Sequence, residues 1–274
     1  WKERKNPYEV GAKLLVPLLK KRGIHQLDYV ISTHEDADHI GGLQAVLEQI
    51  PVKQIIFNGT LKGNKGVTIF FQTALQRNIP LLMAKESMDL QLDSQTKLHF
   101  LFPFGTADER VISMDANQND HCLVFLLEME GTRFLFTADM EKSSEQKVLE
   151  HEASLRQNQT QTLSQNQTQS QNLTQPQNLF QSQPQHSNHL VTPIIDVLKV
   201  AHHGSKTSTT EEWLGYWKPK QAVISVGEKN SYGHPAPEIL RRLDAYEVEI
   251  FRTDQQGEIE MTMTKTGHKT RTKL

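Results

Sequence analysis

Three apolar segments of this sequence each end in side chains of the types that bind metal ions. The segments are LDYVIS (27–32), TRFLFTA (132–138) and DVLKVA (196–201), and each reads as a strand. The residues that follow them are His34, Asp36, Asp38 and His39 after the first, Asp139 after the second, and His202 and His203 after the third. Because α/β folds gather functional side chains at strand ends, the pattern predicts one site assembled from distant parts of the chain.

The densest of these groups brings two carboxylates close together. Asp36 and Asp38 are flanked by His34 and His39. Neighbouring carboxylates repel each other, and a divalent cation removes that repulsion. In extended backbone, the alternating positions of the first three residues point to one side, so the spacing can serve two metals, one held by His34 and Asp36 and the other by Asp38 and His39. The alternative is a helix that Asp38 caps, with the histidines as polar loop residues.

Composition excludes several classes of protein. The 274 residues are 36% hydrophobic, which is enough for one sizeable core, and the net charge of -2 gives no global attraction to nucleic acid or membranes. The one cysteine, Cys122, allows neither an internal disulfide nor a cysteine zinc cage. We see no signal peptide and no apolar run near the ~20 residues that span a bilayer, so a soluble chain is expected. The basic stretch KTGHKTRTK (265–273) is predicted to be a solvated tail.

The order of strand and helix patterns predicts an α/β domain over 1–274. Strands and helices alternate at first, whereas the section 97–139 reads as successive antiparallel strands. A block at about 156–189 is rich in Gln, Asn, Ser and Thr, and we expect it to be a disordered insertion because it can bury little apolar surface. Two segments, VEIFRTD (248–254) and GEIEMTMT (257–264), are predicted to form a closing pair of strands.

The ligand-bearing segments resemble a known family. HEDADHIGG (34–42) resembles the His-x-His-x-Asp-His signature of the metallo-β-lactamase superfamily, with Asp36 in the second histidine position. FTAD and VAHHGS resemble the later strands of that superfamily, which end in a bridging aspartate and in the last ligand histidine. Together with LDYVI and SYGHPAPEIL (231–240), they resemble the C-terminal hydrolase domain of ComEC-type competence proteins.

The resemblance implies an α/β fold, the metallo-β-lactamase-like αββα four-layer sandwich. Only 33 residues precede His34, and the Asp-x-Gly motif of the superfamily is absent from them. We therefore expect the sandwich to lack its first strands. The Gln-rich block departs from the family pattern.

The resemblance also implies a role for each residue that matches the motifs. His34 and Asp36 would bind one metal, Asp38 and His39 the other, and Asp139 would bridge them. The last ligand is His203, with His202 as the fallback. The third ligand of the first metal is His121, and the alternatives are Asp120 and Asn119.

Further residues are expected to serve the substrate and the reaction. Asp38 would also orient the attacking water, and His234 would contact the scissile phosphate or protonate the leaving group. Ser205 and Lys206 would face the substrate. Cys122 begins an apolar run and is expected to be core.

The implied cofactors are two divalent metal ions, with no organic cofactor. An aspartate in place of a histidine makes the site richer in oxygen, which favours Mn²⁺ while Zn²⁺ remains an alternative. The implied activity is two-metal hydrolysis of a phosphodiester, with DNA as substrate and one strand degraded during uptake. The expected location is outside the cytoplasm, in a bacterial membrane protein whose channel portion would be a partner.

Two other functions fit the same sequence. One is a different hydrolase of the superfamily: a ribonuclease, a phosphodiesterase, or a thioester or lactam hydrolase. The other is a DNA-binding or assembly module with an incomplete site. Metal-dependent turnover that is lost on Asp38→Ala separates an enzyme from a binding module.

Overall fold

The computed structural model describes residues 9–63, 65–105, 112–115, 117–170 and 194–274, and of 159–170 only the helical backbone. A π-helical turn, Gly11–Leu15, precedes the first α-helix. The helices are α1 (Val16–Lys21), α2 (Ala37–Ile40), α3 (Leu43–Gln49), α4 (Lys65–Gln76), α5 (Lys142–Ser170), α6 (Glu211–Trp217), α7 (Pro237–Ala245) and α8 (Thr253–Gln256). The strands are β1 (Leu27–Ser32), β2 (Val52–Phe57), β3 (Thr60–Leu61), β4 (Leu81–Met83), β5 (Asp89–Gln91), β6 (Thr96–Phe102), β7 (Ser113–Met114), β8 (Val124–Met129), β9 (Thr132–Phe136), β10 (Val197–Lys199), β11 (Gln221–Ile224), β12 (Glu249–Arg252), β13 (Glu258–Thr264) and β14 (Gly267–Lys273).

Two main sheets organise the chain. The first has three parallel strands in the order β1-β2-β4, and the second has seven in the order β12-β11-β10-β9-β8-β6-β5. In the larger sheet β9 to β12 run parallel, while β5, β6, β8 and β9 are antiparallel neighbours. The antiparallel section expected over 97–139 is therefore present, since β6, β8 and β9 all lie within it.

Alternating side chains of the strands build three apolar layers. On β2, Ile55 and Phe57 pack with α3 and α4 on the outer face of the small sheet. Ile56, between them in sequence, packs against Phe100 and Phe125 in the core between the two sheets. The far side of the large sheet packs against α5, α6 and α7 in the largest core cluster. The order of layers is helix, sheet, sheet, helix, which confirms the predicted four-layer sandwich.

The closing strands pair differently from the prediction. β12 is the parallel edge strand beside β11, whereas β13 pairs antiparallel with β14. The predicted pairing of VEIFRTD with GEIEMTMT was therefore wrong. The basic stretch is solvated as expected, since its lysines and arginine are exposed, but it is not a tail, because residues 267–273 form β14. Its alternate residues explain the difference: His268 and Thr270 hydrogen-bond to Gln221 Oε1, while Lys269 and Arg271 are exposed. The segment lacks the alternation of apolar and polar residues that usually marks a strand, because its inward face is polar.

The predicted insertion begins as a continuation of α5. The helix extends to Ser170, so the first part of the segment expected to be disordered, 156–170, is helical. Glutamine is a good helix former, and the buried start of α5 supplies the nucleus from which a helix propagates. The remaining part, 171–189, lies outside the described residues. Within the described residues, no helix combines the length and apolar character that crossing a membrane requires.

Asp196 ties three neighbouring strands together where β10 begins. Its carboxylate accepts from the Arg133 backbone N–H at 2.9 Å and from Lys220 Nζ at 2.8 Å. Burial alone would raise the pKa of Asp196, but these two contacts outweigh it and hold the pKa below its ordinary value. A lowered folded-state pKa stabilises the fold above the unfolded-state pKa of about 3.9, and this stabilisation is lost as pH falls through the folded-state pKa.

We therefore expect Asp196→Asn to lower the free energy of unfolding by about 1–2 kcal/mol at pH 7. Since asparagine resembles the protonated acid, the difference from wild type shrinks toward zero as pH falls through the folded-state pKa of Asp196. Urea unfolding at pH 7 and at a pH below that pKa measures the difference. A cost that is equal at the two pH values would contradict the assignment to the charged carboxylate.

Candidate metal centre

The loop after β1 brings its ligand-type side chains to the interface of the two sheets. β1 ends at Ser32, and Asp36 is the extended residue before α2, with φ -74° and ψ 148°. Asp38 and His39 lie inside this short helix. The N-cap is therefore Asp36, although its side chain makes no capping hydrogen bond, and the alternative in which Asp38 caps the helix does not hold.

Four side chains from three segments converge at one point. Asp38, His39, Asp139 and His203 each contribute a ligand atom, and these atoms all lie within 4.8 Å of one another. His39 Nε2 is 3.1 Å from Asp139 Oδ1 and 3.2 Å from His203 Nε2. His203 Nε2 is 3.3 Å from Asp38 Oδ2. Two imidazoles and two carboxylates at this spacing form a set that could hold a divalent cation.

The His-His-Gly turn after β10 has an unusual backbone. His202, His203 and Gly204 all lie in the left-handed region, with φ values of 47°, 54° and 84°. Non-glycine residues adopt this conformation at a cost, and such strain concentrates at functional sites. Two hydrogen bonds hold the turn: His202 N–H donates to Ala138 O at 3.0 Å, and Ser205 N–H donates to His202 O at 2.8 Å.

The orientation of the His203 ring is set by a backbone carbonyl. His203 Nδ1 donates to Ser225 O at 2.6 Å. A neutral imidazole that donates from Nδ1 keeps Nε2 free as an acceptor, and Nε2 is the atom that faces the cluster. Such a hydrogen bond is the usual device that orients a metal-binding histidine.

The electrostatics of the cluster favour charged carboxylates. Contact with His203 outweighs burial and lowers the pKa of Asp38 to about 2. Burial alone would raise the pKa of Asp139, but His39, His34 and His203 together lower it well below the ordinary value. Burial and the neighbouring His39 lower the pKa of His34 to about 4, so its ring is neutral at pH 7. Ionised carboxylates and a neutral His34 are protonation states that bind metals, whereas the contact with Asp38 raises the pKa of His203, whose proton a metal would displace.

Buried polar atoms without hydrogen bonds mark the same place. Among the described residues, His34 Nε2 and Asp139 Oδ1 are buried and make no hydrogen bond. The 3.1 Å approach of His39 Nε2 to Asp139 Oδ1 is therefore a close contact without the geometry of a hydrogen bond. Buried groups of this kind are costly to leave unmatched. A cation among them would satisfy both atoms, so the residues present fit a metal.

The other predicted ligands lie around the cluster rather than in it. His34 is fully buried, and its Nε2 lies 3.8 Å from Asp139 Oδ2. Asp36 forms an ion pair with Lys62, whose Nζ lies 2.5 Å from Asp36 Oδ1. His121 is partly exposed and contacts Asp115 at 2.8 Å. The second metal position is thus not assembled in this structure, and the role of these three residues stays a prediction.

The two alternatives left open by the sequence differ in position. His202 Nε2 lies 3.9 Å from Asp139 Oδ2, and its Nδ1 lies 3.6 Å from Glu141 Oε1. Only His203 belongs to the four-residue cluster. Asn119 and Asp120 share a 3₁₀ turn with His121, and Asp120 accepts from the Asn117 side chain.

The predicted substrate residues lie beside the centre in different environments. The His234 ring is 5.9 Å from the ring of His202 and is partly exposed. Lys206 is exposed, whereas Ser205 is buried and its hydroxyl contacts Thr207 Oγ1 at 3.0 Å. Ser205 therefore supports the turn in this structure.

Sequence reasoning missed three ionisable residues around the centre. The Glu35 carboxylate is buried and accepts from the Lys62 backbone N–H, and burial raises its pKa to about 7. Lys199 precedes the His-His-Gly turn on β10, and burial lowers its pKa despite the nearby Asp139. Glu35 stands inside the signature stretch, so its position was a usable signal. No sequence signal pointed to Lys62, because its contact with Asp36 joins two loops that are 26 residues apart in sequence.

Gly204 is the position where this turn tolerates no side chain. An added Cβ would lie 2.6 Å from Pro235 Cβ, at a φ of +84°. We expect Gly204→Ala to cost about 1–3 kcal/mol of unfolding free energy and to weaken metal binding, because His203 must shift. Urea unfolding and metal titration test it. Gly227→Ala is the matched control, since nothing lies within 4 Å of its added Cβ, and equal behaviour of the two variants would contradict the account.

A four-layer αββα sandwich with an Asp/His cluster at its strand ends is the architecture of one class of hydrolase folds. Residues 6–65 match the sequence profile of the Metallo-beta-lactamase superfamily. Over this stretch, which contains HEDADHIGG, the chain is therefore similar to the metallo-β-lactamase superfamily.

Relatives of this chain extend the similarity to nearly its whole length. ComE operon protein 3 of Bacillus subtilis is 31% identical over 95% of the chain. Competence protein ComA of Neisseria gonorrhoeae is 25% identical over 93%, and recombination protein 2 of Haemophilus influenzae is 25% identical over 89%. The chain spans 28%, 28% and 23% of the lengths of these three proteins. Among solved structures, the diiron β-hydroxylase CmlA of Streptomyces venezuelae gives a TM-score of 0.44 at 10% identity, covering 83% of this chain and 44% of that one.

Proposed function

We propose that this chain is a metal-dependent nuclease that hydrolyses phosphodiester bonds of DNA and degrades one strand during DNA uptake. The observation that carries the proposal is the convergence of Asp38, His39, Asp139 and His203 from three separate segments. The names of two relatives, a competence protein and a recombination protein, favour DNA as the substrate and its uptake as the process. By the same similarity, we propose that the domain acts outside the cytoplasm, with the channel portion of a membrane protein as its partner.

The chain would hold two divalent ions, with Mn²⁺ favoured and Zn²⁺ as the alternative. The four-residue cluster provides one position, and His34, Asp36 and His121 would complete the other after leaving their present contacts. Bound divalent ions supply a reactive hydroxide at neutral pH and neutralise charge on the phosphate oxygens. The oxygen-rich ligand set favours Mn²⁺ because harder cations prefer carboxylate ligands.

The chain's own residues then have distinct tasks. Asp139 is buried at the centre of the cluster, where it would fix the geometry of the ligands and bridge the two ions. Asp38 is the exposed member and would orient the attacking water. His234, one ring beyond His202, would contact the scissile phosphate or supply the proton to the leaving oxygen. Lys206 would contact a neighbouring phosphate.

Cleavage of linear double-stranded DNA by the purified chain in Mn²⁺ tests the proposal. We expect cleavage that EDTA abolishes and that Asp38→Ala loses, because the metal and its ligand are both required. Asp28→Ala serves as the matched control, since Asp28 is exposed on β1 and pairs only with Lys53 in the described structure. A folded chain that binds DNA equally well with or without Asp38, and that cuts none, would be a binding module instead.

A further inference from the structure

The loop before α7 presents an exposed aromatic ring beside the metal centre. Tyr232 is 71% exposed, more than any other Tyr, Phe or Trp side chain that the structure describes. Tyrosine rings usually bury most of their apolar surface. A ring left this open next to a reactive site is therefore available to a ligand.

A short chain of ring contacts links Tyr232 to the cluster. Its ring stacks on His234 with centroids 5.9 Å apart and planes at 15°. The His234 ring lies 5.9 Å from that of His202, and His202 Nε2 lies 3.9 Å from Asp139 Oδ2. Tyr232 is thus the outermost member of a row that begins at the metal ligands. A phosphate at the centre would leave an adjoining base within reach of this ring.

The loop that carries the ring is fixed by one side chain. Asn230 Nδ2 donates to Gly227 O at 3.0 Å and to His234 O at 2.8 Å, and its Oδ1 accepts from the His234 N–H at 3.0 Å. These bonds close the loop on both sides of Tyr232. A pre-organised aromatic ring binds with a smaller entropy loss than a mobile one.

Two exposed lysines stand on the segments that carry these rings. Lys229 lies in the same loop, and Lys206 directly follows the turn that carries His203; both are exposed. Lysines of this kind contact phosphates without regard to sequence. An aromatic face combined with nearby lysines is how single-stranded nucleic acid is commonly bound, because every base has a face that can stack.

We infer that Tyr232 is a stacking platform for an unpaired base, so that the strand at the metal centre is held single-stranded. The inference rests on the proposed nuclease function and adds the form of DNA that the site accepts. Inside a duplex both faces of each base are covered by its neighbours, so an internal base must be unpaired before it can stack on the ring.

The test uses DNA binding without turnover. An oligothymidylate carrying one 2-aminopurine and a blunt duplex of equal length are titrated in EDTA, by anisotropy and by the quenching of 2-aminopurine that stacking causes. We expect Tyr232→Leu to weaken single-strand binding about 5- to 100-fold and to abolish quenching, while duplex binding changes less than about 2-fold. Tyr232→Phe keeps the ring and should behave as wild type. Leu75→Ala, at a side chain 65% exposed on α4, controls for loss of surface apolar area.

Equal single-strand affinity in the wild type and Tyr232→Leu would overturn the inference, as would a wild-type chain that binds the strand without quenching. Mn²⁺-dependent cleavage is measured separately on the same proteins. If the chain quenches 2-aminopurine but cuts no DNA, the stacking platform is supported and the nuclease function is rejected. Cleavage that Tyr232→Leu leaves unchanged on both single strands and duplex would reject the platform and keep the nuclease.

Discussion

Replacing Asp139 with asparagine is expected to weaken divalent-metal binding and to slow DNA cleavage by more than about 100-fold each. Residues that only orient metal ligands already cost 10–100-fold when mutated, and Asp139 lies among the ligands themselves. Its carboxylate is within 4 Å of four imidazoles: His34, His39, His202 and His203. Asparagine keeps the shape but removes the charge and one oxygen, so it cannot balance a bound cation.

The loss of metal affinity should exceed the effect of the same substitution on the fold. Asp139 is 3% exposed, and the histidines that lower its pKa make the charged carboxylate stabilising above its unfolded-state pKa of about 3.9. Urea unfolding in EDTA is therefore expected to show a cost of about 1–3 kcal/mol in a variant that still folds, while calorimetric titration with Mn²⁺ shows the loss of metal affinity. Asp89→Asn is the control for removing one negative charge. Asp89 lies on β5, and its carboxylate pairs with Lys97 and His99 of β6. Full metal affinity in Asp139→Asn would remove Asp139 from the centre.

Truncating Trp217 to alanine is expected to lower the free energy of unfolding by about 3–5 kcal/mol. The side chain is fully buried at the end of α6, within the core that joins the large sheet to its helices. Its ring packs against Trp213 at 5.6 Å and Tyr216 at 5.0 Å. A domain of this kind is typically stable by about 5–15 kcal/mol, so one such cavity removes a large part of the margin.

Trp217→Phe separates the effect of the cavity from that of the polar group. Within the described residues the buried Nε1–H of Trp217 has no hydrogen-bond partner, so phenylalanine loses volume but no bond. We expect a smaller cost than for alanine, by at least about 1 kcal/mol. Urea unfolding measures both variants. If Trp217→Ala and Trp217→Phe cost the same unfolding free energy, then packing of the aromatic ring is not what α6 contributes to stability.

The fold and the assembly of the site follow from patterns that can be read in the sequence. β1 has the bounds that its apolar run predicts, and the strand ends at Ser32, Phe136 and Lys199 bring Asp38, Asp139 and His203 together. Parallel neighbours such as β9 and β10 place their carboxyl ends at one edge, which is why distant motifs meet.

The parts that escaped prediction depend on backbone geometry or long-range contacts. The ring of His203 is oriented by a carbonyl oxygen of Ser225, which carries no side-chain signal. The pairing of Asp36 with Lys62 brings together two loops, and no local sequence pattern predicts this contact. β14 was mistaken for a tail because its contacts to Gln221 are polar.

The most direct test of the metal centre is a crystal grown with Mn²⁺ and measured at a wavelength where manganese scatters anomalously. The account predicts an anomalous peak enclosed by Asp38, His39, Asp139 and His203, and a second peak beside it once Asp36 has left Lys62. A well-ordered crystal with Mn²⁺ in the solution and no peak among these four side chains would contradict it.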